Sequence, residues 1–195
     1  NSYISIGSNT IPSARHGLNI NAAAKGNSCI IGNNFSCWNI WITLIDEENL
    51  SVKIGNDCLF SSGIELRPSD THSIIDKTTD KIVNRGKNIS LGSHIWIGKN
   101  VFITKGAEIP SNTVISAYSK VTEKFTEMYT IIGGIPAKVL KNNIDWDRKH
   151  PDTWASEKYS ETITDKEDSY HIPIKDYKML MVERTENAEQ IKQLI

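Results

Sequence analysis

An aliphatic residue recurs at every sixth position from Leu91 to Val121, and this spacing constrains the fold more than any other feature of the chain. The residues at these positions are Leu91, Ile97, Ile103, Ile109, Ile115 and Val121. Chance explains such a run poorly, because only about a third of the positions in an average chain hold large apolar residues. The period matches neither an α-helix, at about 3.6 residues, nor a half-buried strand, at about 2.

A period of six predicts a coil with three flat sides, each made of one short strand and a turn. The aliphatic residue points inward on each side, and a small or β-branched residue four places later lies near the corner. The residues at these later positions are Ile95, Val101, Ala107, Thr113 and Ser119. Such coils bury a continuous core only by stacking, so the sequence predicts an all-β solenoid. An ordinary β-sandwich would not keep a fixed spacing through so many turns.

A second block of the repeat, with Ile54, Phe60 and Leu66, is out of phase with the first. Its continuation would place apolar residues at four later positions, which instead hold His72, Thr78, Asn84 and Ser90. The repeat resumes one place late, at Leu91. We therefore predict that residues 73–88 form an excursion loop from the solenoid, and loops on a rigid scaffold often carry function.

The solenoid is predicted to span residues 1–140, and residues 141–195 are predicted to form a tail without repeats. Apolar residues near the end of the chain suggest one terminal helix, and they include Met179, Val182, Ile191 and Leu194. An uncovered last coil would expose strand edges and core. We expect the tail to cover this end of the solenoid or a neighbouring subunit.

Composition excludes several classes of partner. The formal net charge of the 195-residue chain is -1, so no global field attracts nucleic acid or an anionic membrane. No apolar run approaches the roughly 20 residues that a membrane span needs, and membrane insertion is not expected. The three cysteines, Cys29, Cys37 and Cys58, follow no metal or redox spacing. We interpret them as buried residues of a cytoplasmic protein, with no metal site.

Three landmarks in the chain resemble the hexapeptide-repeat acetyltransferases. They are Ser-Asp-Thr-His-Ser at 69–73, Ile-Trp-Ile-Gly at 95–98 and Gly-Ile-Pro-Ala-Lys at 134–138. The resemblance covers residues 30–141 and is strongest to the capsule and polysialic acid O-acetyltransferases of bacteria. It implies a left-handed parallel β-helix, acetyl-CoA as acetyl donor, and a homotrimer in which each active site lies in a groove between two subunits.

The resemblance places the catalytic histidine of the family at His72, where the block with Ile54, Phe60 and Leu66 breaks. An imidazole, with an ordinary pKa of about 6.5, suits proton removal from a sugar hydroxyl near neutral pH. Trp96 matches the family tryptophan beside the thioester, where an indole or backbone N–H can stabilise an oxyanion. The alternatives are that His72 is a solvent-exposed loop residue and that Trp96 caps its coil. His94 is interpreted as a surface or packing residue.

The resemblance also implies binding residues. Lys99 and Ala117 match positions along the pantetheine path, and Thr122 matches a position beside the outer half of coenzyme A. Lys138 and Lys141 match basic positions that meet the nucleotide phosphates. Glu123 departs from the family, which often has lysine there.

The acceptor site is assigned less directly. Asn39 matches an asparagine that contacts the acceptor in relatives, with gaps in the alignment. Trp38, Trp41 and Arg67 have side chains that could line a sugar site, although each also has a structural interpretation.

The predicted function is acetyl-CoA-dependent O-acetylation of a bacterial surface polysaccharide or its sugar, with sialic acid as one acceptor. Direct transfer in a ternary complex is expected, with His72 as general base. The alternatives are an antibiotic, a small sugar or an amino group as acceptor, a non-catalytic scaffold, or a zinc hydratase of the same fold. A zinc hydratase needs three histidine ligands, and the regular coils offer only His72 and His94.

Overall fold

The computed structural model describes residues 1–159 of the chain. The chain divides after Asp147 into two units. The first unit contains all sixteen strands of the described residues. The second begins with one helix, α1 (Pro151–Tyr159). The predicted terminal helix lies outside the described residues.

Most of the strands are short, and within residues 1–159 all sixteen precede the one helix. In chain order they are β1 (Tyr3–Ile6), β2 (Ile11–Asn21), β3 (Ser28–Ile31), β4 (Ser36–Thr43), β5 (Ser51–Ile54), β6 (Leu59–Arg67), β7 (Ile75–Asp76), β8 (Lys81–Ile82), β9 (Ile89–Leu91), β10 (Ile95–Ile97), β11 (Phe102–Thr104), β12 (Glu108–Ile109), β13 (Thr113–Ile115), β14 (Lys120–Val121), β15 (Thr130–Gly134) and β16 (Ala137–Asn142).

Parallel pairing arranges these strands on three faces. The first face has the order β1-β3-β5-β9-β12. Strands β2, β4 and β6 are long enough to turn a corner, so the start of β6 pairs with β10 and its end pairs with β11. The second face contains the start of β6 with β10, β13 and β15, and the third face contains the end of β6 with β11 and β14. The predicted left-handed parallel β-helix is confirmed.

The six-residue repeat forms the core of the β-helix. All six aliphatic residues of the repeat from Leu91 to Val121 are buried, with exposed fractions of 0 to 3%. They stack on their counterparts in adjacent coils, as in the pairing of Ile103 with Leu66 on the third face. The residues four places later are buried as well. Because these positions are buried, most of them hold small or β-branched side chains.

One corner of each coil requires a residue in the left-handed region of backbone conformation. This corner, between the first and second faces, is formed by Asn9, Asn34, Asp57, His94, Asn112 and Tyr129, with φ between 53° and 60°. Asparagine and aspartate tolerate this conformation better than other residues with a side chain. Four of these six corner residues are therefore Asn or Asp, and His94 is an exception.

The predicted excursion leaves the helix between β6 and β9. Its strands β7 and β8 form a small antiparallel pair that joins neither parallel sheet system. At the far end, β15 and β16 form an antiparallel hairpin on the last coil. No helix within residues 1–159 is long and apolar enough to span a membrane.

Candidate active site

His72 lies where the chain leaves the third face after β6. The preceding residue, Thr71, has φ of 72°, which is strained for a β-branched side chain. The backbone N–H of His72 donates to the carbonyl of Asp70 at 2.8 Å, so the turn is tight. Strain of this kind persists only where surrounding contacts impose it.

Two acidic residues from the loop after β4 supply part of that support. The hydroxyl of Thr71 donates to Asp46 Oδ2 at 2.9 Å. Glu47 Oε1 accepts from the hydroxyl of Ser69 at 2.8 Å and from the backbone N–H of Gly86 at 2.9 Å. One carboxylate therefore joins the start of the excursion to its end.

Asn84 holds the turn from inside the excursion. Its Nδ2 donates to the carbonyl of His72 at 2.8 Å and to Asp70 Oδ2 at 3.0 Å, while its Oδ1 accepts from the backbone N–H of Ile74 at 2.7 Å. Lys105 forms an ion pair with Asp70. Hydrogen bonds from Lys105 and Asn84 hold the pKa of the Asp70 carboxyl below its usual range. Asp70 thus anchors the turn through Lys105.

The exposed His72 borders two pockets. One, of about 200 Å³, lies between the excursion and the loop after β4, and Asp46, Glu47 and Arg85 are among its lining residues. The other, of about 380 Å³, lies on the third face and is lined by Arg67, Ser69, Asp70, Thr71, Phe102, Thr104 and Lys120. Within residues 1–159 the imidazole has no recorded hydrogen-bond partner, so a molecule in either pocket can reach its nitrogens.

Trp96 lies on a different face from the histidine turn. It belongs to β10 on the second face, where it pairs with Leu59 and Val114. Its side chain is 42% exposed and lines a pocket of about 440 Å³ that is mostly apolar. In the part of the chain that the structure describes, Trp96 and His72 line different pockets.

Trp146 is a neighbour of Trp96 that sequence reasoning did not identify. The two ring centroids are 6.1 Å apart, and Trp146 is 9% exposed. The imidazole of His94 stacks on the indole of Trp146, with the ring centroids 4.4 Å apart, and both of its ring nitrogens are hydrogen-bonded. The stacking fits its interpretation as a surface or packing residue, which did not include these hydrogen bonds. The signal available was a histidine at a corner position that asparagine usually occupies.

The expected coenzyme A residues lie along two parts of the helix. Lys99 and Ala117 come from adjacent coils, where the N–H of Tyr118 donates to the carbonyl of Lys99 at 2.8 Å. A Cβ on Gly98 would lie 2.6 Å from the nitrogen of Ala117, so the two coils approach closely here. Thr122 is exposed just after β14.

The two lysines expected at the phosphates lie on the terminal hairpin. Both Lys138 and Lys141 belong to β16 and are exposed. Lys138 forms an ion pair with Glu123, the position at which the chain departs from the family pattern. The ammonium group of Lys138 is therefore already partnered before any phosphate arrives.

The expected acceptor residues separate between the two pocket regions. Trp38 lines the apolar pocket with Trp96, and its side chain is 65% exposed. Arg67 lines the third-face pocket with His72 and donates to the hydroxyl of Thr71 at 3.1 Å. Asn39 lies at an irregularity in the pairing of β4 with β6. Its Oδ1 is buried without a recorded hydrogen-bond partner among the described residues.

A metal centre finds no support in the described chain. No group of three or more His, Cys, Asp or Glu within residues 1–159 is arranged to hold a metal ion.

Two known proteins have sequences similar to this chain. Over 126 residues, or 65% of its length, the chain is 36% identical to the polysialic acid O-acetyltransferase of Escherichia coli O1:K1 and covers 40% of it. Over 108 residues, or 55% of its length, it is 39% identical to the polysialic acid O-acetyltransferase of Neisseria meningitidis and covers 49% of it. No family model matches the chain.

A solved structure extends the match. The crystal structure of the polysialic acid O-acetyltransferase OatWY has a TM-score of 0.52 and 25% sequence identity to this chain. The match covers 82% of this chain and 98% of the other. The chain spans half or less of the length of the two curated relatives described above.

Proposed function

We propose that this chain transfers an acetyl group from acetyl-CoA to a hydroxyl of a polysaccharide. The proposal rests on its similarity to the hexapeptide-repeat acetyltransferases. The observation that carries the proposal is the exposed His72, held by a strained turn between two pockets. A histidine kept in this way is preorganised to take a proton from an acceptor bound on the third face.

The proposed reaction is direct transfer. Acetyl-CoA supplies the acetyl group as a thioester. His72 accepts the proton of the sugar hydroxyl as the oxygen attacks the carbonyl carbon; the new C–O bond forms, the C–S bond breaks, and the proton passes to the departing thiolate. Burial raises the pKa of the Cys37 thiol to about 11, so this cysteine of the Trp96 pocket is protonated near neutral pH. A protonated thiol is a poor nucleophile, which argues against an acyl-enzyme.

The separation of His72 and Trp96 favours a site shared between subunits. Most outward-facing residues of one row on the second face are apolar, and the row comprises Ile11, Ser36, Leu59, Trp96, Val114 and Ile131. Ile11 and Trp96 are exposed and the other apolar residues of the row are half-buried, and an apolar strip of this kind commonly marks an interface. We propose a homotrimer in which the second face of one subunit meets the histidine turn of the next, so that Trp96 and His72 complete one site.

The donor would lie along the corner formed by Lys99 and Ala117. Backbone groups at this corner are suited to the pantetheine arm, and Thr122 and Lys141 continue toward the terminal hairpin. Lys138 is suited to bind a phosphate, but its ion pair with Glu123 must break before the phosphate can bind. Acetyl-CoA binding is therefore expected to be weakened by Glu123.

The finer assignment of the acceptor is a polymer of sialic acid. Arg67, which also pairs with Glu65, and Lys120 line the third-face pocket beside His72 together with Asp70, and cationic side chains suit the carboxylate that each sialic acid unit carries. Trp38 and Asn39 are proposed as further acceptor contacts from the second-face side. An antibiotic or small-sugar acceptor stays the alternative, and a non-catalytic scaffold would bind no acetyl-CoA. The buried free cysteines agree with the proposed cytoplasmic location.

An acceptor panel tests this proposal. Free thiol release from acetyl-CoA would be followed with sialic acid polymers, neutral oligosaccharides and streptogramin-type compounds. We expect turnover with the sialic acid polymers and little with the others. Turnover with a neutral sugar or an antibiotic alone would overturn the acceptor assignment. Failure of acetyl-CoA to raise the thermal unfolding temperature would favour the scaffold.

A further inference from the structure

His94 occupies a corner position that other coils give to asparagine or aspartate. The equivalent corner residues before and after it are Asp57 and Asn112, and all three have φ between 53° and 57°. Histidine is not required by the backbone at this corner, since asparagine adopts the same conformation in neighbouring coils. The side chain of His94 therefore invites a separate explanation.

Both ring nitrogens of His94 face hydrogen-bond acceptors. Nδ1 lies 2.6 Å from Asp57 Oδ2. Nε2 lies 3.1 Å from the carbonyl of Trp146 and 3.2 Å from Asp145 Oδ1. A neutral imidazole has only one N–H, so one nitrogen would direct its lone pair at an acceptor. Only the protonated ring donates to both sides.

These contacts fasten a short segment to the β-helix. We call residues 143–147, which follow the terminal hairpin, the latch segment. Trp146 Nε1 donates to the carbonyl of His94 at 3.0 Å, and its indole stacks on the imidazole with the ring planes 15° apart. The N–H of Ile144 donates to the carbonyl of Tyr129 at 3.0 Å. The latch segment is thus attached to the β-helix through the side chain and backbone of Trp146, the carboxylate of Asp145 and the backbone of Ile144.

The latch segment also contacts the proposed acetyl-transfer site. The indole of Trp146 lies 6.1 Å from that of Trp96, with the planes inclined at 44°. This separation is within the range of aromatic pairs that attract one another. Trp146 is buried between His94 and Trp96, so a shift of the latch segment would release one side of Trp96.

We propose that protonated His94 is a positioning residue for acetyl transfer. It holds the latch segment so that Trp146 packs against Trp96 and fixes the indole at the acetyl group. This inference rests on the proposed function. It assigns no proton transfer to His94, which acts only through the two tryptophans.

The inference predicts a falling limb at alkaline pH. The charged groups recorded facing His94 are Asp57, from its neighbouring coil, and Asp145, from the latch segment. Burial alone would lower the pKa of His94, but the bonds to Asp57 and Trp146 and the two nearby carboxylates together raise it above its ordinary value. A raised folded-state pKa means that the latch is complete below the ordinary pKa and is lost as pH rises through the folded one.

Acetyl transfer by the full chain, measured across pH, tests the inference with His94→Asn as the principal variant. Asparagine suits the backbone at this corner but carries no titrating charge. We expect the wild-type kcat to fall at alkaline pH as His94 loses its proton. The variant should lack the falling limb. Its kcat should be about tenfold lower at mildly acidic pH and should converge with the wild type at alkaline pH.

A second measurement separates this inference from the proposed function. The indole N–H resonances of Trp96 and Trp146 should shift with pH at the same midpoint as the His94 ring, and these shifts should vanish in His94→Asn. An equal loss of kcat at every pH would overturn the inference. Indole resonances that do not shift at the midpoint of the His94 titration would overturn it as well. Absence of turnover by the wild type would overturn the proposed function, and the resonance titration would still decide the role of His94.

Discussion

At the scale of single residues, the histidine turn combines local strain with support from several directions. Thr71 takes an unfavourable backbone conformation, and its hydroxyl is held by Asp46 and Arg67. The one-residue slip in the repeat predicted a special role at position 72. It could not predict that Asn84 and Lys105, which are distant in sequence, support the turn. Their spacing carries no periodic signal.

Asn84→Ala should slow transfer by loosening this turn. The substitution removes the donors to the carbonyl of His72 and to Asp70. We expect kcat to fall by about tenfold, because small displacements of a catalytic group are costly. Steady-state kinetics would measure the effect, with Lys77→Ala at the exposed tip of the excursion as the matched control. Unchanged kcat in Asn84→Ala would exclude a positioning role for this side chain.

Glu123→Gln should strengthen acetyl-CoA binding. Glu123 partners Lys138, and the neutral amide would free the ammonium group for a phosphate. We expect the KM for acetyl-CoA to fall by about threefold, the scale of an exposed ion pair worth up to about 1 kcal/mol. Glu127→Gln, a nearby exposed carboxylate, is the control. A KM that rises in Glu123→Gln would remove Lys138 from the binding site.

At the scale of the strand and coil, the six-residue period identified the inward residues correctly. The burial of Ile103 and Ile115 confirms this. The period could not predict that β2, β4 and β6 turn a corner as single strands, since corner geometry depends on backbone dihedral angles. The short pair of strands within residues 73–88 also carried no periodic signal.

Ile103→Ala should destabilise the β-helix. The side chain is fully buried between Leu66 and Val121 in adjacent coils. Removal of its methyl and methylene groups leaves a cavity, and the expected loss is about 2–5 kcal/mol of unfolding free energy. Denaturant unfolding would measure it, with the exposed Ile74→Ala as control. Similar stability of the two variants would contradict the assignment of the repeat to the core.

At the scale of the whole molecule, the six-residue repeat and the family resemblance together predicted the β-helix. It did not indicate that His72 and Trp96 lie on different faces of one chain. Their proposed association depends on contacts between subunits, and periodicity within a chain contains no information about such contacts. The difference between the faces does point to an interface. The second face presents Leu59 and Val114 outward, whereas the first presents Lys53 and Glu108.

Val114→Asp should disrupt the proposed trimer. A carboxylate on the apolar second face would lose its hydration on association. Sedimentation should report a smaller assembly and transfer should fall with it, while far-UV circular dichroism stays that of a β-helix. Ser90→Asp on the first face is the control and should keep the mass of the wild type. A trimer that persists in Val114→Asp would place the interface elsewhere.

Replacement of His72 tests whether this residue is the general base of acetyl transfer. His72→Ala, measured by thiol release with saturating acetyl-CoA and the best acceptor, should lose transfer by about a thousandfold, within the range of general base catalysis. Acetyl-CoA binding and the mass of the assembly should match the wild type. Near-normal turnover by His72→Ala would contradict the account.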